Sequence, residues 1–152
     1  MVAIFFQTAI LIRMGTKIEI SPELKAGARA EASETVNGEN TARFLGSGDL
    51  DVYATPAMIA LMEKAAVQTT ALFLPEECST VGTSVNIKHI AASPLGANIR
   101  AEALLTGLDG RKLSFEVRAW DDKELIGEGL HERFIIEKKK FMEKVEEKRR
   151  GT

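Results

Sequence analysis

One long apolar helix constrains the fold of this chain more than any other feature. The sequence runs Ala54-Thr55-Pro56-Ala57-Met58-Ile59-Ala60-Leu61-Met62-Glu63-Lys64-Ala65-Ala66. Met58, Met62, Ala65, Thr69 and Leu72 recur at helical spacing; Ile59, Ala66 and Phe73 extend the stripe, and Leu61 and Val67 widen it. Pro56 suits a first helical turn, Thr55 reads as the N-cap, and Pro75 stands just past the end. A helix this apolar must be covered on most sides. The rest of the chain reads mainly as strand, so a sheet has to do the covering.

The strand pattern has period two. Residues 79 to 92 carry Val81, Thr83, Val85, Ile87 and His89 on one alternating face, and Ser93-Pro94-Leu95-Gly96 ends the run. A strand over 97–108 follows, then the hairpin dipeptide Asp109-Gly110. Residues 111–120 alternate through Leu113, Phe115, Val117 and Ala119, Asp121-Asp122-Lys123 turns, and 124–136 is the last strand. Gly127 and Gly129 inside it predict a bulge or a close backbone approach. Upstream, residues 26–36 read as a strand, Asn37-Gly38 as a turn, 39–45 as a short helix and 46–49 as a loop. This order predicts an α+β fold in which a curved antiparallel sheet wraps one long central helix.

At 152 residues the chain is one domain with room for a real core. Three parts are expected: an N-terminal extension over 1–15, the folded domain over 16–137 and a charged tail over 138–152. Residues 1 to 12 are apolar apart from Gln7 and Thr8, too short to span a bilayer and without the pattern of a signal peptide. An upstream extension ahead of a start at Met14 is the expectation, with an extra edge strand as the alternative. Residues 137–150 hold eleven charged residues among fourteen, which reads as a solvated helix. The net charge of −2 gives no argument for nucleic acid. Cys78 is the only cysteine, so no intrachain disulfide forms, and Glu76 and Glu77 beside it disfavour a thiolate. A cytoplasmic protein with no nucleic-acid or membrane partner is expected.

Three polar residues interrupt apolar runs: Thr55, Glu63 and His89. A hydroxyl, a carboxylate and an imidazole suffice for acyl transfer or hydrolysis. Each also has a plainer role. Thr55 caps the helix, Glu63 escapes to solvent beside Lys64, and His89 is a satisfied core imidazole on the face of Val85 and Ile87. His131, beside Glu132 and Arg133, reads the same way. A metal site is not expected, because no ligand spacing such as His-Glu-x-x-His occurs. Eight residues separate Thr55 from Glu63, about 12 Å along a helix axis. One site holds both only if His89 bridges them or a second subunit contributes.

Three segments together resemble hot-dog thioesterases of the fluoroacetyl-CoA thioesterase-like group. They are Ala54 through Glu63, then Val81-Gly82-Thr83-Ser84-Val85-Asn86-Ile87-Lys88-His89, then Gly127-Glu128-Gly129-Leu130-His131-Glu132-Arg133. The resemblance covers roughly residues 16 to 137. It implies the hot-dog fold, hydrolysis of an acyl-CoA thioester with no cofactor beyond the substrate's own CoA, and a homodimer. It implies a catalytic set of Thr55, Glu63 and His89, with Gly82 and Arg133 beside the thioester or its CoA portion. The family's aromatic lid has no counterpart pair in Arg43-Phe44-Leu45-Gly46-Ser47-Gly48-Asp49, so the resemblance implies thioester hydrolysis and leaves the acyl group open. The alternatives are a non-catalytic hot-dog acyl-CoA-binding or sensing protein and, behind it, a hot-dog hydratase.

Overall fold

The computed structural model describes residues 17–151. The expected extension over 1–15, including Met14, lies outside the described residues. The elements run β1 (Arg29–Thr35), α1 (Ala42–Leu45), α2 (Thr55–Thr70, prolonged by a 3₁₀ turn Ala71–Phe73), β2 (Cys78–His89), β3 (Asn98–Asp109), β4 (Lys112–Trp120), β5 (Leu125–Glu137) and α3 (Lys138–Arg149). The strands form one antiparallel sheet in the order β1-β3-β4-β5-β2, with β1 and β2 at its edges.

The turns use the residues the sequence singles out. Gly110 takes φ +58° between β3 and β4, and the Asp121 carboxylate accepts from the amides of Lys123 and Glu124 between β4 and β5. The Asn37 side chain accepts from the Glu39 amide. Gly46 closes α1 at φ +73°.

The sheet curls around α2 as the hot-dog architecture requires. Met58, Leu61, Met62, Ala65 and Ala66 are buried on the helix. They meet Ile99, Ala101, Ala103 and Leu105 of β3, Leu113, Phe115, Val117 and Ala119 of β4, and Ile126 and Ile135 of β5, all in one core. Burial of each large aliphatic side chain contributes about 1.5–3 kcal/mol. The alanines opposite the helix let it lie close to the sheet. Gly127 is required for the same reason, since a Cβ there would sit 2.5 Å from the Met58 sulfur. A Cβ on Gly129 would strike the Asn86 carbonyl. The close approach predicted for both glycines is therefore present.

Three details differ from the pattern read in the sequence. Ala54, not Thr55, is the N-cap of α2, with no side-chain capping bond; Thr55 is already helical. The helix is not covered on most sides: Thr55, Pro56, Ala60, Lys64, Val67 and Gln68 form an open flank. The alternation of β2 is also broken. Gly82 pairs Arg133 while Ser84 pairs Glu132, which leaves Thr83 as an extra residue. This bulge puts Thr80 and Gly82 on the same face as Val85, Ile87 and His89. Lys138–Arg149 forms α3, with no buried residue.

Candidate functional site

Thr55 and His89 come together from opposite ends of two elements. Thr55 opens α2 and His89 closes β2, thirty-four residues later. The Thr55 Oγ1 and His89 Nδ1 lie 2.8 Å apart. Because Ala54 takes the capping position, the Thr55 hydroxyl is not spent on the helix terminus. Burial holds the His89 imidazole below its ordinary value, opposed by the Ala91 backbone. Neutral imidazole offers a lone pair to a hydroxyl donor, so this pair is fit to make an oxygen nucleophilic. His89 Nε2 is buried and has no hydrogen-bond partner among the described residues.

Glu63 is not brought to that pair within the chain. It sits two turns further along α2, against β2 and β5. Arg133 Nη1 donates to Glu63 Oε2 at 2.8 Å. Arg133 is 5 % exposed, and its other donors are fixed: Nε to Thr80 Oγ1 at 2.9 Å and Nη2 to the Thr80 carbonyl at 2.9 Å. A buried guanidinium is tolerable only when its donors are met. Burial pulls its pKa below the ordinary arginine value, and Glu63 opposes that pull. The Glu63 side chain itself is 39 % exposed and reaches the open flank.

Gly82 lies against the same carboxylate. A Cβ there would sit 2.6 Å from Glu63 Oε2 and 3.3 Å from His131 Cε1. The missing side chain leaves room for the carboxylate to lie over the strand. Glu63, Gly82, Thr83, Ser84, Val85 and His131 line a cleft of about 340 Å³.

Thr80 and His131 belong to this cluster, and no chemistry was assigned to either from the sequence. His131 is 2 % exposed. Its Nδ1 lies 2.8 Å from the Ser84 carbonyl and its Nε2 3.2 Å from Arg133 Nη1. A carbonyl only accepts and a guanidinium only donates, so the proton resides on Nδ1 and Nε2 is unprotonated. Burial is the main cause holding the His131 pKa down; the Ser84 carbonyl opposes it, Arg133 adds to it and Glu63 opposes it. The sequence signal was the alternation His131, Arg133, Ile135 along β5. Thr80 was hidden by the bulge, which reverses the apparent face of β2.

The predicted residues thus separate into two groups, Thr55–His89 and Glu63–Gly82–Arg133. Among the described residues no cluster of three or more His, Cys, Asp or Glu is arranged for a metal ion. No helix among them is long and apolar enough to cross a membrane. Cys78 is buried, and burial, Glu77 and Glu137 raise its thiol pKa, an inert environment.

Residues 36–139 match the family described as fluoroacetyl-CoA-specific thioesterase. The chain is 40 % identical over 98 residues to the fluoroacetyl-CoA thioesterase of Streptantibioticus cattleyicolor, which covers 64 % of this chain and 70 % of that protein. A solved structure of a fluoroacetyl-CoA thioesterase superposes with a TM-score of 0.78 at 34 % identity, covering 82 % of this chain and 97 % of the other. A Thermus thermophilus protein described as a thioesterase superfamily member superposes at 0.75 with 29 % identity, over 84 % of this chain and 96 % of the other.

Proposed function

From the premise that this chain belongs to the fluoroacetyl-CoA-specific thioesterase family, we propose a site in which Thr55 and His89 of one copy face Glu63, Gly82 and Arg133 of a second copy. The enzyme is a hot-dog thioester hydrolase that converts an acyl-CoA to a carboxylic acid and free CoA. The observation that carries the reading is the 2.8 Å contact of Thr55 Oγ1 and His89 Nδ1 on an open flank shared with Glu63.

A two-fold pairing supplies the rest. β2 is an edge strand whose residues Gly82 to Asn86 are exposed. An antiparallel pair of β2 strands about a two-fold axis at Asn86 sets Ile87 of one copy opposite Val85 of the other and, across the bulge at Thr83, brings His89 of one copy beside Gly82 of the other. The same axis covers the flank of α2 bearing Pro56, Ala60 and Val67. Apolar and small residues left open on a single chain are what an obligate interface buries.

In this site His89 accepts a proton at Nδ1, from Thr55 Oγ or from a water in the same position. The oxygen attacks the thioester carbonyl carbon. Backbone N–H groups at the start of α2 stabilise the resulting oxyanion. The C–S bond breaks, and the imidazolium returns its proton to the departing CoA sulfur. Glu63 supplies negative charge that favours the imidazolium while it exists. Attack by Thr55 leaves an acyl-threonine that water then cleaves; attack by water does not. A burst of free CoA, or a trapped acyl-enzyme, selects the first.

The test of the shared site mixes Thr55→Ala and Glu63→Ala proteins with subunit exchange allowed. Some mixed dimers regain one intact site, so CoA release rises above either parent. No rise despite proven exchange sinks the two-copy site. Tight binding of CoA esters with no CoA release, across a panel of acyl groups, favours the acyl-binding alternative.

A further inference from the structure

We propose that His131 is a positioning residue, whose unprotonated Nε2 fixes Arg133 Nη1 and through it aims the Glu63 carboxylate at the mouth of the cleft. The proposal rests on the site described above, and goes beyond it by adding a residue that acts through Arg133 and Glu63. The argument is one of donors and acceptors. Arg133 Nη1 carries two hydrogens and has two acceptors, Glu63 Oε2 at 2.8 Å and His131 Nε2 at 3.2 Å. With both in place the nitrogen has one orientation. The imidazole is itself anchored, because its Nδ1 donates to the Ser84 carbonyl at 2.8 Å and its ring stacks at 28° to Phe115 with centroids 6.1 Å apart. Ser84 is the residue that follows the bulge in β2. The bulge therefore turns a backbone carbonyl inward, the carbonyl sets the tautomer, and the tautomer presents the lone pair to arginine.

Glu63 needs such help because it is the mobile member. Its side chain is 39 % exposed, against 1 % for His131 and 6 % for Arg133. A surface glutamate samples several rotamers, and a displacement near 1 Å costs on the order of 10²-fold in rate. The arrangement also has a direction in pH. Protonation of His131 puts a hydrogen where Arg133 donates and sets two cations side by side. The charged groups facing the ring are Glu63 from α2 and Arg133 from β5. Burial holds the ring's pKa below its ordinary value.

Three variants test the idea. His131→Asn keeps a donor for the Ser84 carbonyl and removes the acceptor for Arg133. His131→Gln returns an acceptor oxygen and cannot titrate. Arg133→Met removes the group that relays the effect. We expect His131→Asn to lower kcat on the order of 10²-fold with KM little changed, and His131→Gln to recover most of it. In the Arg133→Met background His131→Asn costs nothing more. The acid limb of the wild-type rate profile steepens to two protons, and in His131→Gln it is one proton shallower. A crystal structure of His131→Asn has Glu63 displaced from Arg133. Wild-type kcat and acid limb in His131→Asn, or an equal loss with and without Arg133, overturn the proposal. So does a Glu63–Arg133 contact unchanged at 2.8 Å. If Thr55→Ala and His89→Ala stay active, the proposed site fails instead, and the Glu63 geometry in the variant crystal still decides the positioning.

Discussion

The two halves of the proposed site are built on opposite physical terms. The Thr55–His89 half is two neutral groups joined by one hydrogen bond, with Thr55 exposed and His89 partly buried. The Glu63 half is a charge network whose arginine is 5 % exposed and bonded to Thr80, His131 and Glu63. Loose neutral groups suit a step in which a proton has to move. A fixed cation suits a carboxylate that has to stay put. Damage to the first half should cost rate with little stability, and loss of the buried arginine that anchors the second should cost both.

The largest effect is expected at His89. His89→Ala should lose about 10²–10⁴-fold in acyl-CoA hydrolysis, the contribution of a positioned base, while the melting temperature moves little. A large melting loss with near-normal turnover would make His89 a packing residue and erase the contrast. Next comes Gly82→Ala. Its Cβ meets the far end of the Glu63 side chain at 2.6 Å, which can swing away, and His131 Cε1 at 3.3 Å, which has to give by a few tenths of an ångström. Stability should hold while turnover falls on the order of 10²-fold, because the carboxylate is displaced. Unchanged turnover would show that Glu63 need not lie where Arg133 holds it.

Arg133→Met tests the second half from the other side. It orphans the Thr80 carbonyl and leaves Glu63 unpaired, and should destabilise by about 1–3 kcal/mol in chemical unfolding. An Arg133→Met protein as stable as His89→Ala would mean that the two halves do not separate rate from stability.

The smallest effect is on stability against pH. Burial lowers both histidine pKa values in the folded state. The unfolded chain then binds more protons in the acid range, so stability is full above the unfolded histidine pKa of about 6.5. It declines as pH falls from there through the folded values. His131→Gln should flatten part of that decline in urea titrations at pH 7 and pH 5. An equal decline in wild type and variant would place the sensitivity elsewhere.

Much of this was legible in the chain itself. The helix over Ala54–Ala66, the alternation of Leu113 to Ala119 and the dipeptide Asp109-Gly110 fixed the element order, because periodicity is a local property that burial imposes on sequence. Gly127 and Gly129 announced a close approach, since only a missing side chain permits one. The resemblance selected Thr55, Glu63, His89, Gly82 and Arg133. What spacing could not give was their grouping. Thr55 read as the helix cap until Ala54 took that position and released the hydroxyl to His89. A single inserted residue, Thr83, reversed the face of Thr80, and alternation counted along the chain cannot register a bulge that exists only relative to the partner strand. His131 gained its role from an arginine two residues away and a carbonyl forty-seven residues away. Sequence determines which faces are apolar and where turns fall. Tertiary structure alone decides which donor meets which acceptor, because hydrogen bonds depend on distance and direction in space rather than on separation along the chain.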